Sequence, residues 1–496
     1  MMKTFRAALT AAVFSSAVVS IPPAIAQGSC PFQSSGCVLD SISRPFDVGT
    51  LGGALSLPQG LNAHGQVVGT SGTSDGAARA YSWTQASGIQ ELAALPGARN
   101  SAAGSVSASG QIVGSSEDGQ RVSHAVLWTQ AGASPQDLGT LSVQGAAAGP
   151  VSDNGQVLIS SQDGLHGLFL WTIGSTPPGS VVPPLCPSSA FIQPTALNPG
   201  GRVIGQSNTC DLSSNRRPII HGFSWASGNP LSNLKSIGSG AGFLTCCHSE
   251  TNAVNAGTQI VGASNTDRFG VSHASLWTAA SGSPTDSQPV DVEAVDLHTL
   301  DLLSDRNLDA ATNSVATAVN DSGQVVGSSF IHFNGEPFEH AFLWTQADGM
   351  TDLGTLPGGT GSKATAINAR GWIVGNAGHA FLWTQMGGMV DLGTLPSGTT
   401  SEAVAVNANG QILGRSDLPP TPAGVAQSHA VLWSSQCREP SCRERCDRDD
   451  AACQDSCIAD FQSCPAETPH RDCEKALRTC LRDCSNKHAQ CLASCR

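Results

Sequence analysis

The 496-residue chain sets 25 Lys and Arg against 38 Asp and Glu, a formal charge of −13 at pH 7 with only 13% charged residues. Nucleic-acid affinity rests on Lys and Arg facing phosphates, so an acidic chain without basic clusters argues against a nucleic-acid binder, and for the same reason against an anionic membrane surface. Fifty-five glycines and a single tyrosine, among abundant Ser and Thr, favour short strands and tight turns over helices.

The chain opens MMKTFRAALTAAVFSSAVVSIPPAIAQ. Lys3 and Arg6 supply a positive start, residues 7–21 an apolar run, and Ala24-Ile25-Ala26 a small-residue cleavage site. This predicts a secretory signal peptide over 1–26. A transmembrane anchor would need about 20 unbroken apolar residues, and Pro22 and Pro23 interrupt the run. No later stretch is long and apolar enough to span a bilayer, so the expected product is secreted, extracellular or periplasmic. In that compartment, 17 Cys point to disulfides rather than free thiols. Residues 27–45 read as an N-terminal linker.

From residue 46 to 435 three phrases recur. The first is Asn-x-x-Gly followed by an apolar run: LNAHGQVVG, VSASGQIVG, VSDNGQVLI, LNPGGRVIG, VNAGTQIVG, VNDSGQVVG, INARGWIVG, VNANGQILG. The second ends in Trp at positions 83, 128, 171, 225, 277, 344, 383 and 433, and a His stands four to five residues before most of them. The third is DLGTL or a relative, at 91–95, 137–141, 296–300, 352–356 and 391–395, and it is degenerate after Trp171 and Trp225. Asn-x-x-Gly fits a type I turn between two strands, and the other phrases read as a third and a fourth strand. Four strands in roughly 40 to 45 residues is the period of propeller blades. A spare copy, Asp47-Val-Gly-Thr-Leu51, precedes the first turn, while no such phrase follows Trp433. The count balances if this N-terminal strand completes the last unit and so removes two open edges. The fold class expected is all-β, a β-propeller of about eight four-stranded blades; an open solenoid and a seven-bladed ring with one displaced unit are the rivals.

These phrases resemble the extracellular HAF-repeat family, named for the triplet that stands here at His340-Ala-Phe and His379-Ala-Phe. The resemblance implies an exported repeat protein and no defined catalytic activity. Repeat 1 departs from it with Arg79 in place of His, and repeat 3 with Gly167, preceded by His166.

His124, His221, His273, His340, His379 and His429 occupy one repeat position, followed by Trp128, Trp225, Trp277, Trp344, Trp383 and Trp433. A ring of imidazoles could bind metal or sense pH. Two of eight units lack the residue, which a metal ring would not tolerate. A structural role is therefore expected, each His bonding a backbone or hydroxyl group beside a buried Trp, with no metal and no cofactor. Gly72-Thr-Ser-Asp-Gly76 matches G-x-S-x-G without the strand–turn–helix context that a nucleophile elbow needs, and Gly358 to Lys363 lacks the order of a phosphate loop. Cys246-Cys247-His248 leaves a vicinal disulfide, other bridges or a metal site open.

After Cys437 the composition switches: Gly vanishes and Arg, Asp, Ala and Cys dominate. Ten cysteines, beginning at Cys442, follow at spacings of 4, 7, 4, 7, 9, 7, 4, 7 and 4, a palindrome. Steps of 4 and 7 hold one helical face. Ser441 with Glu444 reads as a capping box, and Thr468-Pro469 as the cap and first residue of a second helix. The expectation over 436–496 is a disulfide-stapled helical hairpin with up to five rungs, Cys442–Cys495, Cys446–Cys491, Cys453–Cys484, Cys457–Cys480 and Cys464–Cys473. It resembles the plant α-hairpinin arrangement of nested cysteine pairs, extended. A thiolate metal cluster is the rival. Of the rest, Cys30–Cys37 and Cys186–Cys210 are plausible local pairs, and the odd total leaves one thiol over, with Cys437 a candidate for an intermolecular bridge.

Function is legible only coarsely. The first reading is a secreted, non-enzymatic binding or surface module for a protein or glycan, with specificity in the loops 172–194, 206–220, 263–272, 279–314 and 415–428. The second is a polysaccharide hydrolase or lyase on a propeller, whose only candidate carboxylates are Asp75, Glu117, Asp118, Asp163 and Asp267. The third is a metal or redox role for the tail cysteines.

Overall fold

The computed structural model is described for residues 38–438, apart from 131, 144, 166, 177–178, 190, 213–217, 239–247, 267–270, 281–288, 301–312 and 334–335, and in the C-terminal part for 453–454, 457 and 470–494. The predicted signal segment, Cys30, Cys37, Cys246, Cys247, Cys442, Cys446, Cys464 and Cys495 lie outside the described residues. The chain divides into two compact units, residues 42–435 and a smaller one that contains the tail from 436.

The larger unit is all-β. Its strands form a series of antiparallel meanders in which consecutive strands are neighbours. The sixth is representative: Ser314–Val319, Val325–Phe333, Glu336–Thr345 and Gly349–Asp352. Eight such repeats are counted here by their tryptophans. Repeats 3 and 4 also have fourth strands, Ser180–Val181 and Ser232–Leu234, although the D-L-G-T-L phrase has decayed there. The eighth has three strands of its own, Ser401–Val406, Gln411–Leu418 and Gln427–Arg438. Its fourth position is taken by Phe46–Asp47, with Phe46 opposite Leu432 and Asp47 opposite Val431. That is the register of the sixth repeat, where Asp352 lies opposite Phe342: in both, the Asp faces the residue two beyond the His. A parallel bridge from Leu55 to Ser428 joins the eighth repeat to the first.

Every letter of the first phrase has a physical task. In the first repeat Gly65 N–H donates to the Asn62 carbonyl at 3.1 Å, and Gly65 sits at φ +81°, where only glycine is at ease. The Asn62 carboxamide oxygen accepts from the N–H groups of His64 and Gln66, both at 3.0 Å. The closing glycine is demanded by close approach. A Cβ on Gly327 would stand 1.9 Å from the Val315 carbonyl oxygen, and one on Gly375 1.9 Å from that of Lys363. The innermost strand bulges there, between Ala316 and Ala318 in the sixth repeat, and turns a carbonyl onto its neighbour. Repeat 3 has Ile159 at this position, and its register skips between Ala148 and Val151.

The apolar core lies between repeats rather than within them. Leu353 and Leu356, from the sixth D-L-G-T-L, pack with Ala364, Ile367, Ile373 and Phe381 of the seventh. Val48, Leu61, Val67, Tyr81, Leu413, Ala430 and Leu432 make the equivalent cluster between the eighth and first repeats. Each fully buried Leu or Phe of this kind stabilises the fold by about 1.5–3 kcal/mol relative to exposure, so a repeat is stable only with a neighbour.

A chain of side-chain hydrogen bonds runs along these junctions. Asn198 Nδ2 donates to the Asn255 carbonyl, Asn255 to Asn320, Asn320 to Asn368, and Asn368 to Asn407, all at 3.0–3.1 Å. Asn407 then donates to the Asn62 carbonyl at 3.0 Å, across 345 residues of sequence, and Asn62 to Ser107 at 3.1 Å. Where Ser replaces Asn, other groups span the gap. Asp153 accepts from Ala108 N–H at 2.7 Å, and Asn154 Nδ2 donates to the Pro199 carbonyl at 2.6 Å. The bonds thus return to the repeat where they began.

In the smaller unit, His470–Ser494 is a 25-residue helix. Its cysteines meet the preceding segment in antiparallel order, Cys453 with Cys484 and Cys457 with Cys480, at Cα separations of 5.7 and 5.8 Å. Cys457 and Cys484 are buried, and Cys491 is also disulfide-bonded. Among the described residues no helix is long and apolar enough to cross a membrane.

Asn407 is fully buried, whereas Asn154 is exposed. Replacing Asn407 by Ala should remove this bond and the oxygen that accepts from Asn409 and Gln411 N–H, at a cost of about 1–3 kcal/mol in urea-induced unfolding. N154A should cost well under half of that. Equal losses would mean that the buried bond has no special weight.

Candidate functional site

Strand direction decides which loops share an end. In a four-stranded meander the hairpin between strands two and three lies at the same end as the connection from strand four to the next repeat. The Asn-x-x-Gly turns lie at the opposite end, where they are short, uniform and joined to one another. Three of the five long loops, 206–220, 263–272 and 415–428, are second-to-third hairpins. The 182–191 part of 172–194 and the 297–313 part of 279–314 are connections between repeats. These parts share one end, whereas the third strands ending at Thr172 and Thr278 start the other parts of 172–194 and 279–314 at the Asn-turn end.

The fourth repeat gathers most of them. A disulfide joins Cys186, in the connection entering this repeat, to Cys210 in its hairpin, with a Cα separation of 4.9 Å. His248 Nδ1 accepts from Ile220 N–H at 3.0 Å where that hairpin returns. The insertion after Trp277 comes back as an additional strand, Val290–Val292, parallel to Ser232–Leu234. Asp291 of this strand accepts from Asn233 Nδ2 at 2.8 Å and pairs with Lys235 at 2.9 Å. That Asp291 bond is the main cause of the Lys235 ammonium being held above the usual lysine range, against some loss of hydration. This repeat also replaces the usual Gln of the first phrase with Arg202. It is buried, bonds Ser224 Oγ at 3.0 Å, and has its pKa lowered by loss of hydration.

The repeated histidines stand at this same end, and their expected backbone or hydroxyl partner needs correcting. The partner is the Asp that opens D-L-G-T-L. His124 Nδ1 lies 3.0 Å from Asp137, His273 3.0 Å from Asp296, His340 2.9 Å from Asp352, His379 2.9 Å from Asp391, and His429 2.9 Å from Asp47. The reason is geometric: His and Asp are diagonal neighbours on adjacent strands, close enough for a long side chain to reach. Asp352 Oδ1 also accepts from Gly354 N–H at 2.8 Å, which fixes the carboxylate. In repeats 1 and 3 both members depart together, and in repeat 4 the Asp alone becomes Asn. Arg79 faces Glu91 at 3.6 Å in repeat 1, and His221 faces Asn233 at 2.7 Å in repeat 4. In repeat 3, Gly167 and Val181 hold the two positions and neither can bond. The phrase's other letters are also engaged: Gly354 and Gly393 turn the chain at φ +71° and +69°, and Thr355 and Thr394 hydroxyls donate to carbonyls four residues on, at 3.2 and 3.1 Å.

The tryptophans sit beside these pairs and tie repeats together. Trp128, Trp277 and Trp433 Nε1 donate to the carbonyls of Ala93, Lys235 and Leu392, each at the end of the preceding repeat's fourth strand, at 2.6–2.8 Å. Trp171 instead bonds Ser175 of its own repeat at 3.1 Å.

The candidate carboxylates do not form a catalytic group. Asp75 bonds Thr73 and Ala77 in its own hairpin. Glu117 accepts from Asn100 at 2.9 Å, Asp118 from Gln120 and Val122 N–H at 2.9 and 2.8 Å, and Asp163 from Leu165 N–H at 3.0 Å. Asp75 and Asp163 shape their own turns, Glu117 holds the connection entering its repeat, and Asp118 also lies 3.4 Å from His124 Nε2; Asp267 lies outside the described residues. Ser74 follows a strand and enters a hairpin, not a helix, and Lys363 pairs with Glu339 at 2.6 Å.

A family model described as a protein of unknown function (DUF3466) matches residues 243–385, from the fifth repeat into the seventh. No curated protein matches. Among solved structures, a prolyl endopeptidase is similar over 67% of this chain and 49% of its own, at 10% identity and a TM-score of 0.41. The chain thus spans about half the length of that enzyme. The Pyrococcus horikoshii acylaminoacyl peptidase is similar over 74% of this chain and 58% of its own, at 9% identity and a TM-score of 0.34. The Aleuria aurantia lectin in complex with alpha-methyl-L-fucoside is similar over 60% of this chain and 92% of its own, at 15% identity and a TM-score of 0.24.

Asp47 gives a pH test. Burial opposes its ionisation, but the His429 bond, the Gly49 N–H and the His429 charge outweigh that and hold its carboxyl below the ordinary range. A depressed folded-state value favours folding above the unfolded carboxylate pKa of about 4, and the benefit is lost as pH falls through the lower folded value. At pH 7, D47N should unfold about 1 kcal/mol more easily, an amount discounted for its partial exposure. In urea melts run from pH 7 to pH 2 the two proteins should converge below pH 4. A gap that stays constant would show that the carboxylate's charge is not what matters.

Proposed function

We propose that this chain is an exported binding module. In this reading it is built as a closed eight-bladed propeller of HAF-type repeats, and it binds a protein or glycan partner through the loop end of its fourth and fifth blades. The observation that carries the reading is the asymmetry of the two ends. One end is a uniform belt of Asn turns committed to holding neighbours. The other receives the three long second-to-third hairpins and the two long connections between repeats, one of each joined by Cys186–Cys210. A rigid scaffold with variable loops at one end is how recognition surfaces are commonly built. Closure is supported by Asp47 pairing with His429 and by Asn407 bonding back to Asn62. Export is supported by the disulfides and by the signal-like opening of the sequence. The histidine–carboxylate pairs and tryptophans serve as fastenings between strands and blades, and the stapled tail as a second rigid contact. The enzyme reading loses ground because its described carboxylates, Asp75, Glu117, Asp118 and Asp163, sit in separate hairpins with local partners of their own.

The test compares the full chain with a variant in which residues 209–217 are replaced by the short hairpin of the second repeat, residues 118–122, and Cys186 by Ser. Both are screened by thermal shift against monosaccharides, polysaccharide fragments and extracellular proteins, since a ligand of the folded state raises the melting temperature. A ligand that stabilises the parent and not the variant, without being turned over, is the expected result. Equal shifts in both would move the site off the fourth blade, and turnover of the ligand would restore the enzyme reading.

A further inference from the structure

The fifth repeat departs from its siblings at one position of D-L-G-T-L. Where Gly49, Gly139, Gly354 and Gly393 turn the chain at positive φ, this repeat has His298, at φ +63°. A side chain is disfavoured in that conformation. This one brings a second imidazole to a carboxylate that already faces one. Asp296 lies 3.0 Å from His273 Nδ1 and 3.4 Å from His298 Nδ1. The three donor atoms lie within 4.8 Å of one another.

We infer that His273, Asp296 and His298 form a binding site for a divalent transition-metal ion of the imidazole-favouring class, with zinc(II) as the type. The spacing suits it. Bonds of about 2.0–2.1 Å to a tetrahedral zinc place neighbouring donor atoms about 3.3 Å apart, close to the two His–Asp separations of 3.0 and 3.4 Å, with the two imidazole nitrogens within 4.8 Å. The donor set suits it too, since imidazole selects zinc, copper and nickel over magnesium or calcium. The framework is held independently, because Asp296 also accepts from His298 N–H at 2.7 Å and its strand is paired through Ser275 and Leu276. His273 is largely covered, while the His298 side chain is 74% exposed. The ion would therefore enter from solvent and keep its remaining positions for water or a ligand's oxygen. Among the described residues, this is the one His–Asp pair that gains a second imidazole; in the second repeat the added group is a carboxylate, Asp118, on the opposite ring nitrogen of His124 at 3.4 Å. The site is independent of the binding function proposed above, although it lies at the loop end.

The repeat itself supplies the controls. H298G installs the residue its siblings carry at a compatible φ, so folding is not at risk. G354H makes the reciprocal change beside His340 and Asp352, where an added Cβ meets nothing within 4 Å. The oxidised full chain, without a histidine tag, is titrated calorimetrically with zinc chloride, and with magnesium chloride as a control. One saturable zinc site is expected in the parent. H298G should weaken it at least about tenfold, the loss already associated with removing a mere outer-shell partner, and G354H should add a second equivalent. No saturable zinc binding in the parent, or an H298G titration like the parent's, would overturn the assignment. A folded G354H that gains no site would refute the claim that three such donors suffice.

Discussion

The hydrogen bond from one Asn carboxamide to the main chain of the next repeat is the constraint on which the rest of the structure depends. In each turn that has the Asn, the carboxamide oxygen is used up on its own backbone N–H groups, which leaves Nδ2 to reach outward. That single donor sets the distance and tilt between successive sheets. The apolar clusters can then form between sheets, where the two leucines of one repeat enter the next. A repeat of this length cannot bury both faces alone, so the polar bond and the apolar cluster need each other. Buried without a partner, the carboxamide would cost more than the bond contributes. Without the bond, the sheets would have no fixed registry.

The two ends of the repeats are consequently under different constraints. At the Asn end the carboxamides of the turns are committed to neighbouring repeats, and an insertion within a turn would break the circuit. At the opposite end the fastening is between strands of one sheet, through His and Asp, and the loops beyond it are free to lengthen. Departures concentrate in the third to fifth repeats, in Gly167, Arg202, Cys186, Cys210 and His298. Where the pair is lost in the third repeat, both members are lost together, and where its chemistry changes in the first, both change together.

The repeat and its four strands were legible because Trp, Asn-x-x-Gly and D-L-G-T-L each mark a distinct local geometry. The contribution of Asp47 to the eighth repeat followed from the surplus phrase before the first turn. Two things were less legible. The fourth strands at Ser180–Val181 and Ser232–Leu234 are defined by backbone pairing, which tolerates almost any side chain once a neighbouring strand is in place. The partner of the repeated His was missed because the relation between adjacent strands is diagonal, whereas sequence parity reports only which face a residue occupies. A signal was available: Arg79 with Glu91, and Gly167 with Val181, change as pairs. For the five tail rungs, the palindromic spacing proposed an order that the described residues address only at Cys453, Cys457, Cys480 and Cys484.

Asp47 and His429 are 382 residues apart in sequence, yet they belong to one sheet. A strand made before the first repeat is the last to find its place. Until the eighth repeat has been synthesised, the third strand it will occupy does not exist, and afterwards that strand exposes an unpaired edge until Phe46–Asp47 arrives. Contacts of such long range slow folding, and an open edge invites pairing with another molecule. A circular permutant that begins at residue 53 and carries residues 38–52 after Ser435 would make the same pairing local. The native order therefore leaves the assembly of this fold waiting on its own beginning.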